Sequence, residues 1–377
     1  MKALKTAVIG CGGISDIYLK NMTQRFSVLD VMCCCSKGGR SAEIKSEKYG
    51  IRAAGFQEIL EDEEIDLIVN LTPPAAHYDI IKKSLLAGKH VYTEKVIVNE
   101  YAKAKELQML AEERGLRIGA APDTFLGAGI QTVRAAVDKG LIGQITSCHA
   151  SINRDMGMIY RPGSFVVEPG GGMGFDLGIY YLTALLSILG PVKQAAGIVQ
   201  TNRPGRTVAD AASQYFGESY TIENENIMAG LLVFENGTVG TLNFNGDSIF
   251  PEVPYVALYG TEGILTIPNA NEFGGAVTLQ KKGWTEPIIL PAAHGFSQNS
   301  RGIGAAELAW SVLKKRPHRA SGDMACHAVE ILEGMEKSWR DGCFKNITSR
   351  FQRPRALPES YPSSYSDMRS EESVLAI

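Results

Sequence analysis

Residues 170–182 read GGGMGFDLGIYYL and place an aspartate and a tyrosine four positions apart in an otherwise apolar segment. On a helix, Asp176 and Tyr180 would project from the same face, and Tyr181 from another face where we expect it to pack. A carboxylate is costly to bury among apolar side chains unless a partner pairs with it. Held together at a cleft, the carboxylate and the phenol could orient a substrate and exchange a proton with it. The alternative is that Asp176 only caps the helix or belongs to a buried hydrogen-bond network.

A glycine-rich turn near the N-terminus is the second candidate site. A short apolar strand is followed by GCGGIS, which matches the pattern GxGxxG with a serine in the third place. In such a turn the first glycine permits the bend, and the second lets a pyrophosphate approach the backbone. The amides at the start of the following helix then face the anion. We therefore predict a dinucleotide-binding turn with contacts from Gly10, Gly12, Gly13 and Ile14.

The end of the second predicted strand indicates which dinucleotide binds. An NAD-binding turn usually has an acidic residue about 20 positions after the glycines, which holds the ribose hydroxyls. This chain has Ser36, Lys37 and Arg40 there, and no carboxylate lies between Asp30 and Glu43. A serine and two cations can hold the 2′-phosphate of NADP, which a carboxylate would repel. We therefore favour NADP over NAD as the cofactor, unless Lys37 and Arg40 are ordinary solvated charges.

The order of the elements predicts two domains, as expected for a chain of 377 residues. Over residues 1–122 short apolar strands alternate with helices, which is typical of an α/β fold with a doubly wound parallel (Rossmann) sheet. Over 123–345 strand patterns dominate, with a hairpin around Asn236-Gly237, so we expect an α+β domain with a mainly antiparallel open sheet. Residues 346–377 are polar and rich in proline and serine, and predict a flexible tail or arm. The substrate would bind in the cleft between the domains.

Further candidates lie where the predicted elements meet this cleft. Thr72 and Pro73 follow a buried strand at the carboxyl edge of the sheet, where such folds bind ligands. We predict both as cofactor contacts, together with His77, which opens the next helix as a capping or packing residue rather than as a catalyst. The softer candidates for the substrate site are Asp123, just past the last Rossmann strand, and Asn153, Tyr160 and Arg161, which precede the Asp176 segment. A structural or surface role is the alternative for each of these four.

Composition excludes several classes of function. The net charge of −3 and the pI of about 6.1 do not support nucleic-acid binding, for which a basic surface is expected. No apolar run approaches the ~18 residues of a transmembrane helix, and no signal peptide is evident, so we expect a cytoplasmic protein without membrane contact. The seven cysteines, three of them consecutive, are expected to be reduced packing residues. No CxxC or HxxxH spacing indicates a metal site.

The segments GCGGIS, NLTPPAAH, TEK and GGGMGFDLGIYYL resemble, in this order, the motifs of the Gfo/Idh/MocA oxidoreductase family, over residues 1 to about 345. The resemblance implies an enzyme that exchanges a hydride between NAD(P) and a sugar, cyclitol or related polyol. It matches the family's EKP lysine to Lys95, with Glu94 beside it at the cofactor site, and the second-domain aspartate to Asp176. Tyr180 replaces the family's histidine, as in the branch similar to glucose–fructose oxidoreductase and dimeric dihydrodiol dehydrogenase. Val96 replaces the proline of EKP, so the preceding peptide, commonly cis in the family, is either trans with a shifted loop or still cis.

The resemblance also implies roles for these residues. The cofactor handles the hydride and the protein must move a proton, for which a tyrosine with a pKa near 10 is a poor base at neutral pH. The Lys95 ammonium is expected to lower the pKa of Tyr180 and to hydrogen-bond the developing alkoxide, while Asp176 holds Lys95 or a substrate hydroxyl. The alternative makes Lys95 the acid–base and Tyr180 a positioning group. Gly170 to Gly172 would let the chain pass close to the nicotinamide or the substrate, or would form a plain turn.

We therefore predict an NAD(P)-dependent dehydrogenase or reductase that acts on a CH–OH group of a sugar or polyol. Two other functions are compatible with the same fold: a redox-neutral, NAD-dependent glycosidase that oxidises its substrate only transiently, and a non-catalytic NADP-binding regulator. Whether free cofactor is consumed distinguishes the dehydrogenase from the glycosidase. The resemblance further implies a homodimer or homotetramer, which we expect to form through the antiparallel sheet.

Overall fold

The computed structural model describes residues 3–155, 163–168, 170–248, 254–292 and 294–357. Strands and helices alternate in its N-terminal part. The strands are β1 (Leu4–Ile9), β2 (Leu29–Cys35), β3 (Arg52–Ala53), β4 (Leu67–Asn70), β5 (His90–Thr93) and β6 (Ile118–Ala120). The helices between them are α1 (Ser15–Gln24), α2 (Arg40–Tyr49), α3 (Phe56–Glu61), α4 (His77–Leu86) and α5 (Tyr101–Glu113).

These six strands form one parallel sheet in the order β3-β2-β1-β4-β5-β6. All four residues of β4 are buried, because helices cover both faces of the sheet, and this explains its unbroken apolar sequence. The prediction of a Rossmann sheet is confirmed. The strand order reverses between β1 and β4, and folds of this type bind their ligands at such a point, beyond the carboxyl ends of the strands.

The second half of the chain contains a larger sheet. Its helices are α6 (Ala128–Asp138), α7 (Ile179–Leu189), α8 (Ile303–Leu313) and α9 (Gly322–Asp341), and a π-helical turn at Met173–Gly178 leads into α7. Its strands are β7 (Ile145–Asn153), β8 (Val192–Gln200), β9 (Gly205–Thr207), β10 (Ser219–Thr221), β11 (Ile227–Phe234), β12 (Val239–Asn245), β13 (Tyr255–Gly260), β14 (Gly263–Ile267), β15 (Val277–Lys281), β16 (Ile288–Leu290) and β17 (Lys345–Asn346).

Nine of these strands pair in the order β16-β15-β14-β13-β7-β12-β11-β8-β17, and β9 pairs with β10 separately. Among the pairings described, only β7 with β12 is parallel, so the prediction of a mainly antiparallel sheet is confirmed. Helix α9 packs on one face, where Gly197 and Gly230 leave room for Met335. On the other face Leu231 and Val239 are exposed.

The chain returns to the Rossmann sheet after the second sheet is complete. The Ala120 N–H of β6 donates to the carbonyl of Ala320 over 3.1 Å, and Gly119 bridges to Ser321 at the start of α9. A Cβ at Gly304 of α8 would lie 2.4 Å from the Tyr92 hydroxyl of β5, so α8 lies directly against the strands. Helix α8 and the start of α9 therefore join the two predicted domains.

Of the two alternatives for the segment from residue 346, a flexible tail does not describe residues 346–357, which pack against the second domain, while an arm stays a prediction. Ile347, Phe351 and Leu357 are buried, and the Glu330 carboxylate accepts the backbone N–H groups of Thr348 and Ser349 over 2.9 and 2.8 Å. These contacts satisfy a polar segment whose composition alone resembles a linker. Residues 358–377 lie outside the described part of the chain. Within that part, the search for a helix able to span a membrane found none.

Candidate active site

The glycine turn between β1 and α1 has the shape that a dinucleotide requires. Gly10 has a φ of +102°, and a Cβ there would lie 2.7 Å from the Leu71 carbonyl carbon, so the turn packs directly against the end of β4. At Gly12 and Gly13 a Cβ would meet no protein atom within 4 Å. The backbone is therefore open on the side where a pyrophosphate would approach the start of α1. Ile14, which precedes α1, is exposed.

The loop after β2 carries the residues predicted to select the cofactor. The Ser36 hydroxyl accepts the Ala42 N–H over 3.1 Å and thereby supports the first turn of α2. Lys37 and Arg40 are exposed. This placement leaves both cations available to a phosphate at the end of β2.

The turn after β4 is tied to the turn after β5 by a buried histidine. His77 is fully buried, with Nδ1 2.6 Å from the Val96 carbonyl oxygen and Nε2 2.8 Å from the Thr72 carbonyl oxygen. Burial lowers the pKa of His77. A neutral imidazole has one N–H, so it donates to only one of the two carbonyls. His77 thus positions Thr72 and, through the backbone, the exposed Pro73 that follows it.

Lys95 lies two residues after the end of β5 and reaches the second domain. Its Nζ donates to the Asp176 carbonyl over 3.0 Å and also to the Asp176 carboxylate. The two side chains are 12% and 7% exposed, so this ion pair is largely shielded from water. The Lys95–Val96 peptide is cis, which decides between the two alternatives left open for it.

Tyr180 stands beside this pair. The Lys95 Nζ is 5.6 Å from the centroid of its ring, and the tyrosine itself is buried. Burial raises the pKa of Tyr180, while Lys95 and Arg301 lower it, and the burial effect is the larger. Lys95 thus acts on this pKa in the expected direction, but burial, together with the Glu94 carboxylate, outweighs it and leaves the pKa of Tyr180 raised. For Lys95 burial alone lowers the pKa, but Asp176 and Tyr180 outweigh it, so the pKa of the ammonium is raised.

Arg301 is a residue of this site that the sequence did not indicate. It precedes α8, and its Cζ is 5.9 Å from the centroid of the Tyr180 ring. Its guanidinium donates to the side chain of Asn299 over 3.1 Å and to that of Asn271 over 2.8 Å. In the sequence it stands in QNSRGIG, far from every motif, and no spacing or local pattern connects it with Tyr180.

Glu94 and Asp123 lie beneath the site rather than on its surface. Glu94 accepts the Tyr18 hydroxyl over 2.6 Å and the Lys95 N–H over 3.1 Å. Asp123 is 1% exposed, and its Oδ2 accepts the N–H groups of Gly302 and Gly304, each over 3.0 Å, at the start of α8. Burial raises the pKa of Asp123 to about 6. A substrate contact by Asp123 stays a prediction, because its carboxylate holds α8 in this structure.

The glycines at 170–172 make room for the protein itself. A Cβ at Gly170 would lie 2.0 Å from the Asn99 side chain, and one at Gly171 would lie 1.9 Å from the Phe165 carbonyl oxygen. A Cβ at Gly172 would lie 2.1 Å from the Glu225 carboxyl carbon. Close packing within the chain therefore accounts for the run without a bound nicotinamide or substrate. Burial raises the pKa of Glu225 to about 8.

The remaining predicted residues divide between the described and undescribed parts of the chain. Asn153 ends β7, opposite Asn245 of β12, and is half-buried. Tyr160 and Arg161 lie outside the described residues. Tyr181 is buried and donates its hydroxyl to the Asn269 side chain over 2.8 Å, in keeping with the packing role expected for it.

Two models of known protein families match this chain, one in each predicted domain. The family model for oxidoreductases with an NAD-binding Rossmann fold (GFO_IDH_MocA) matches residues 4–121, and the model for the GFO/IDH/MocA C-terminal domain matches residues 130–266. The chain belongs to the Gfo/Idh/MocA family. It is thus an oxidoreductase-family protein with an NAD-binding Rossmann domain, as the sequence motifs predicted. The tyrosine branch of this family stays a prediction.

Several relatives of the chain carry sugar-related names. A dTDP-3,4-didehydro-2,6-dideoxy-α-D-glucose 3-reductase of Streptomyces violaceoruber is 27% identical over 307 residues, which cover 78% of this chain and 82% of the relative. A D-xylose dehydrogenase of Paenarthrobacter nicotinovorans is 27% identical over 179 residues, 45% of this chain and 46% of the relative. The chain spans only about half the length of two uncharacterized oxidoreductases of Schizosaccharomyces pombe, 56% and 53%, at 27% and 28% identity.

Solved structures share the fold over nearly the whole chain. Levoglucosan dehydrogenase in complex with NADH superposes with a TM-score of 0.80 at 14% identity, covering 92% of this chain and 100% of that one. The aldose–aldose oxidoreductase of Caulobacter crescentus, complexed with glycerol, gives a TM-score of 0.78 at 20% identity, with 92% and 100% coverage. At these identities the likeness extends to the fold alone.

Proposed function

We propose that this protein is an NAD(P)-dependent dehydrogenase or reductase that transfers a hydride between a secondary alcohol of a sugar or polyol and the nicotinamide. Tyr180 and Lys95 act as its proton-transfer pair. The observation that carries the proposal is the position of Lys95, two residues after the end of β5, paired with Asp176 and 5.6 Å from the Tyr180 ring. The names of the ketosugar reductase and the xylose dehydrogenase among the relatives support the substrate class.

The charges at the site favour Tyr180 over Lys95 as the acid–base. Because Asp176 and Tyr180 raise the pKa of Lys95, its ammonium keeps its proton at neutral pH and cannot serve as a base there. It can donate a hydrogen bond to the substrate oxygen as negative charge develops on that atom. Asp176 fixes the direction of this donor by accepting from Nζ at both its carbonyl and its carboxylate.

Tyr180 then donates or accepts the proton of the reaction. Bound NAD(P) would supply or accept the hydride at the reacting carbon. In reduction the Tyr180 hydroxyl gives its proton to the carbonyl oxygen, which becomes the product hydroxyl, and in oxidation the phenolate takes that proton back. Since the pKa of Tyr180 is raised, the tyrosine is protonated at neutral pH. The site is therefore ready for reduction at neutral pH, whereas oxidation should become faster as the pH rises.

The open glycine turn would hold the pyrophosphate at Gly12, Gly13 and the start of α1. Ser36, Lys37 and Arg40 would receive the 2′-phosphate, which is the basis for favouring NADP over NAD. The wall of the same crevice contains the other predicted cofactor contacts, which are Thr72, Pro73, His77 and Glu94. His77 and Glu94 support the backbone of this wall.

The open face of the nine-stranded sheet favours self-association, because Leu231 and Val239 are exposed there.

The test is the absorbance of reduced nicotinamide with a panel of aldoses, cyclitols, ketosugars and simple glycosides, each with NAD and with NADP, supplied oxidised or reduced as the direction requires. Reduced cofactor should appear or disappear in proportion to substrate, and Tyr180→Phe should lower kcat by about 10²–10⁴-fold. Tyr181→Phe is the matched control, because it removes a buried hydroxyl from the next residue and should leave kcat nearly unchanged. Wild-type turnover by Tyr180→Phe would refute the role of the tyrosine. Sugar cleavage without net change in cofactor would instead indicate the redox-neutral glycosidase.

A further inference from the structure

Tyr180 contacts two cations, of which the motifs account only for Lys95. The second is Arg301, whose Cζ is 5.9 Å from the centroid of the Tyr180 ring and whose positive charge lowers the pKa of that tyrosine. In the described residues no carboxylate lies within salt-bridge distance of Arg301. Its charge is therefore not neutralised by a direct ion pair within that part of the chain, and a largely buried charge of this kind is costly. The other ionisable groups that act on it through space are Asp123 and Tyr18, and Glu94 acts in the same way on Tyr180.

The guanidinium is held firmly in this position. Asn271 and Asn299 accept from its two terminal nitrogens, and Phe273 places a second aromatic ring 5.9 Å from Cζ. The backbone is fixed from the other domain, because the Asn21 side chain of α1 donates to the carbonyls of Asn299 and Arg301 over 3.1 and 2.9 Å. The position of Arg301 is thus set by the helix that follows the dinucleotide turn.

Arg301 also borders open space. It lines a cavity of about 280 Å³, whose other polar members are Asn271, Glu272, Ser297, Gln298 and Asn299. A guanidinium that only stabilised the fold would not need to face such a cavity. Amides and hydroxyls arranged around it are suited to the hydroxyl groups of a sugar or polyol.

We propose that Arg301 is a positioning residue that sets the proton affinity of Tyr180: its guanidinium, fixed beside the tyrosine ring, stabilises the phenolate formed when Tyr180 gives up its proton. This inference rests on the proposed function, in which Tyr180 moves the proton. Lys95 and Arg301 would then both stabilise the negative charge that develops on the phenol. The Lys95 Nζ lies 5.6 Å and the Arg301 Cζ 5.9 Å from the centroid of its ring.

The size of the effect follows from the distance. A unit charge about 6 Å away, at an effective dielectric constant of about 20, changes a pKa by on the order of one to two units. Arg301→Gln should therefore move the apparent pKa of Tyr180 upward by that amount. Oxidation at a pH below this pKa should fall about 10–100-fold, while reduction at neutral pH, which needs the protonated tyrosine, should change far less.

The experiment compares pH profiles of kcat/KM in both directions for the wild-type enzyme, Arg301→Gln and Arg301→Lys. Arg301→Lys keeps the positive charge, so the apparent pKa of Tyr180 should lie close to its wild-type value in this variant. Lys315→Gln is the control, because it removes an exposed positive charge at the far end of α8, about 16 Å along the helix. Equal losses in oxidation and reduction without a shift of either profile would overturn the proposal, because they indicate a purely structural role.

A second measurement separates this inference from the function itself. A fluorinated tyrosine at position 180 ionises at lower pH, and its absorbance reports ionisation in the folded protein without any turnover. Its midpoint should rise by about one to two pH units on Arg301→Gln and stay unchanged on Lys315→Gln. An unchanged midpoint in Arg301→Gln overturns the inference whether or not the enzyme has been assayed with its true substrate. Arg301→Met serves if the glutamine variant does not fold.

Discussion

The ion pair between Lys95 and Asp176 offers the sharpest test of how the site is held together. Asp176→Asn keeps the shape of the side chain and the backbone carbonyl that accepts from Nζ over 3.0 Å, but removes the carboxylate. Both side chains are largely buried, at 12% and 7% exposure. Removal of one partner of a buried pair leaves the other charge uncompensated, which costs about 3–5 kcal/mol. We expect a loss of stability of this order at neutral pH.

The dependence of that loss on pH identifies its cause. In the wild-type protein the pKa of Lys95 is raised, so its stabilising contribution is complete below the unfolded value near 10.5 and is lost as the pH passes the folded value. Without Asp176 the largest effect on the pKa of Lys95 is burial, which lowers it. The variant is then penalised at neutral pH and recovers as the pH rises toward about 10.5. The difference between the two proteins should therefore shrink with rising pH.

Chemical denaturation of both proteins between about pH 7 and pH 10 measures this difference. Lys95→Met combined with Asp176→Asn should be more stable than Asp176→Asn alone, because no buried charge then remains unpaired. Glu106→Gln, which breaks the exposed pair with Lys82, is the control and should change stability little at any pH. A loss that is independent of pH, together with an additive double variant, would show that Asp176 acts through packing and not through its charge.

Three further predictions concern the cofactor turn and the buried carboxyl behind the site. Ser36→Asp should weaken NADPH binding at least about tenfold relative to NADH in a fluorescence titration, because a carboxylate repels the 2′-phosphate; equal effects on both cofactors would contradict the NADP assignment. Gly12→Ala should keep wild-type thermal stability but lose dinucleotide affinity, because a Cβ at Gly12 would meet nothing within 4 Å. Gly10→Ala should lose affinity and also unfold at lower temperature, because a Cβ at Gly10 would lie 2.7 Å from a backbone carbon. Glu225 has a pKa raised to about 8, so wild-type stability should fall by about 1.4 kcal/mol per pH unit between about pH 5 and 8, and Glu225→Gln should remove this slope in urea unfolding.

The features that the sequence predicted correctly are local or follow from the order of local elements. Buried strands such as β4 and the helices between them alternate regularly, and right-handed crossovers leave few topologies open to such a chain. The Asn236-Gly237 turn joins β11 to β12, which pair as an antiparallel hairpin up to Val233 and Val239. In each case the residues that decide the structure are neighbours in the chain.

The features that the sequence did not predict depend on contacts between distant segments. Arg301 reaches Tyr180 because Asn21 of the Rossmann domain and Asp123, just past its last strand, hold the loop before α8, and no periodicity records such a contact. The segment after residue 346 has the composition of a linker, but Glu330 of α9 satisfies its backbone. For Tyr180 the sequence indicated the cation that lowers its pKa but not the burial that outweighs this effect and raises the pKa.

The two domains contribute opposite halves of the candidate site. Lys95 comes from the end of β5, and Arg301 is held by Asn21 of α1, so the Rossmann domain positions both cations. Asp176 and Tyr180 lie on the π-helical turn and α7 of the second domain, so that domain supplies the carboxylate and the phenol. In the assembled chain each half supplies what the other lacks: Asp176 pairs with Lys95, and both cations lie beside the Tyr180 ring. The candidate site is therefore built from both domains together, and the α1 helix that begins at the dinucleotide turn is part of what keeps Arg301 in place.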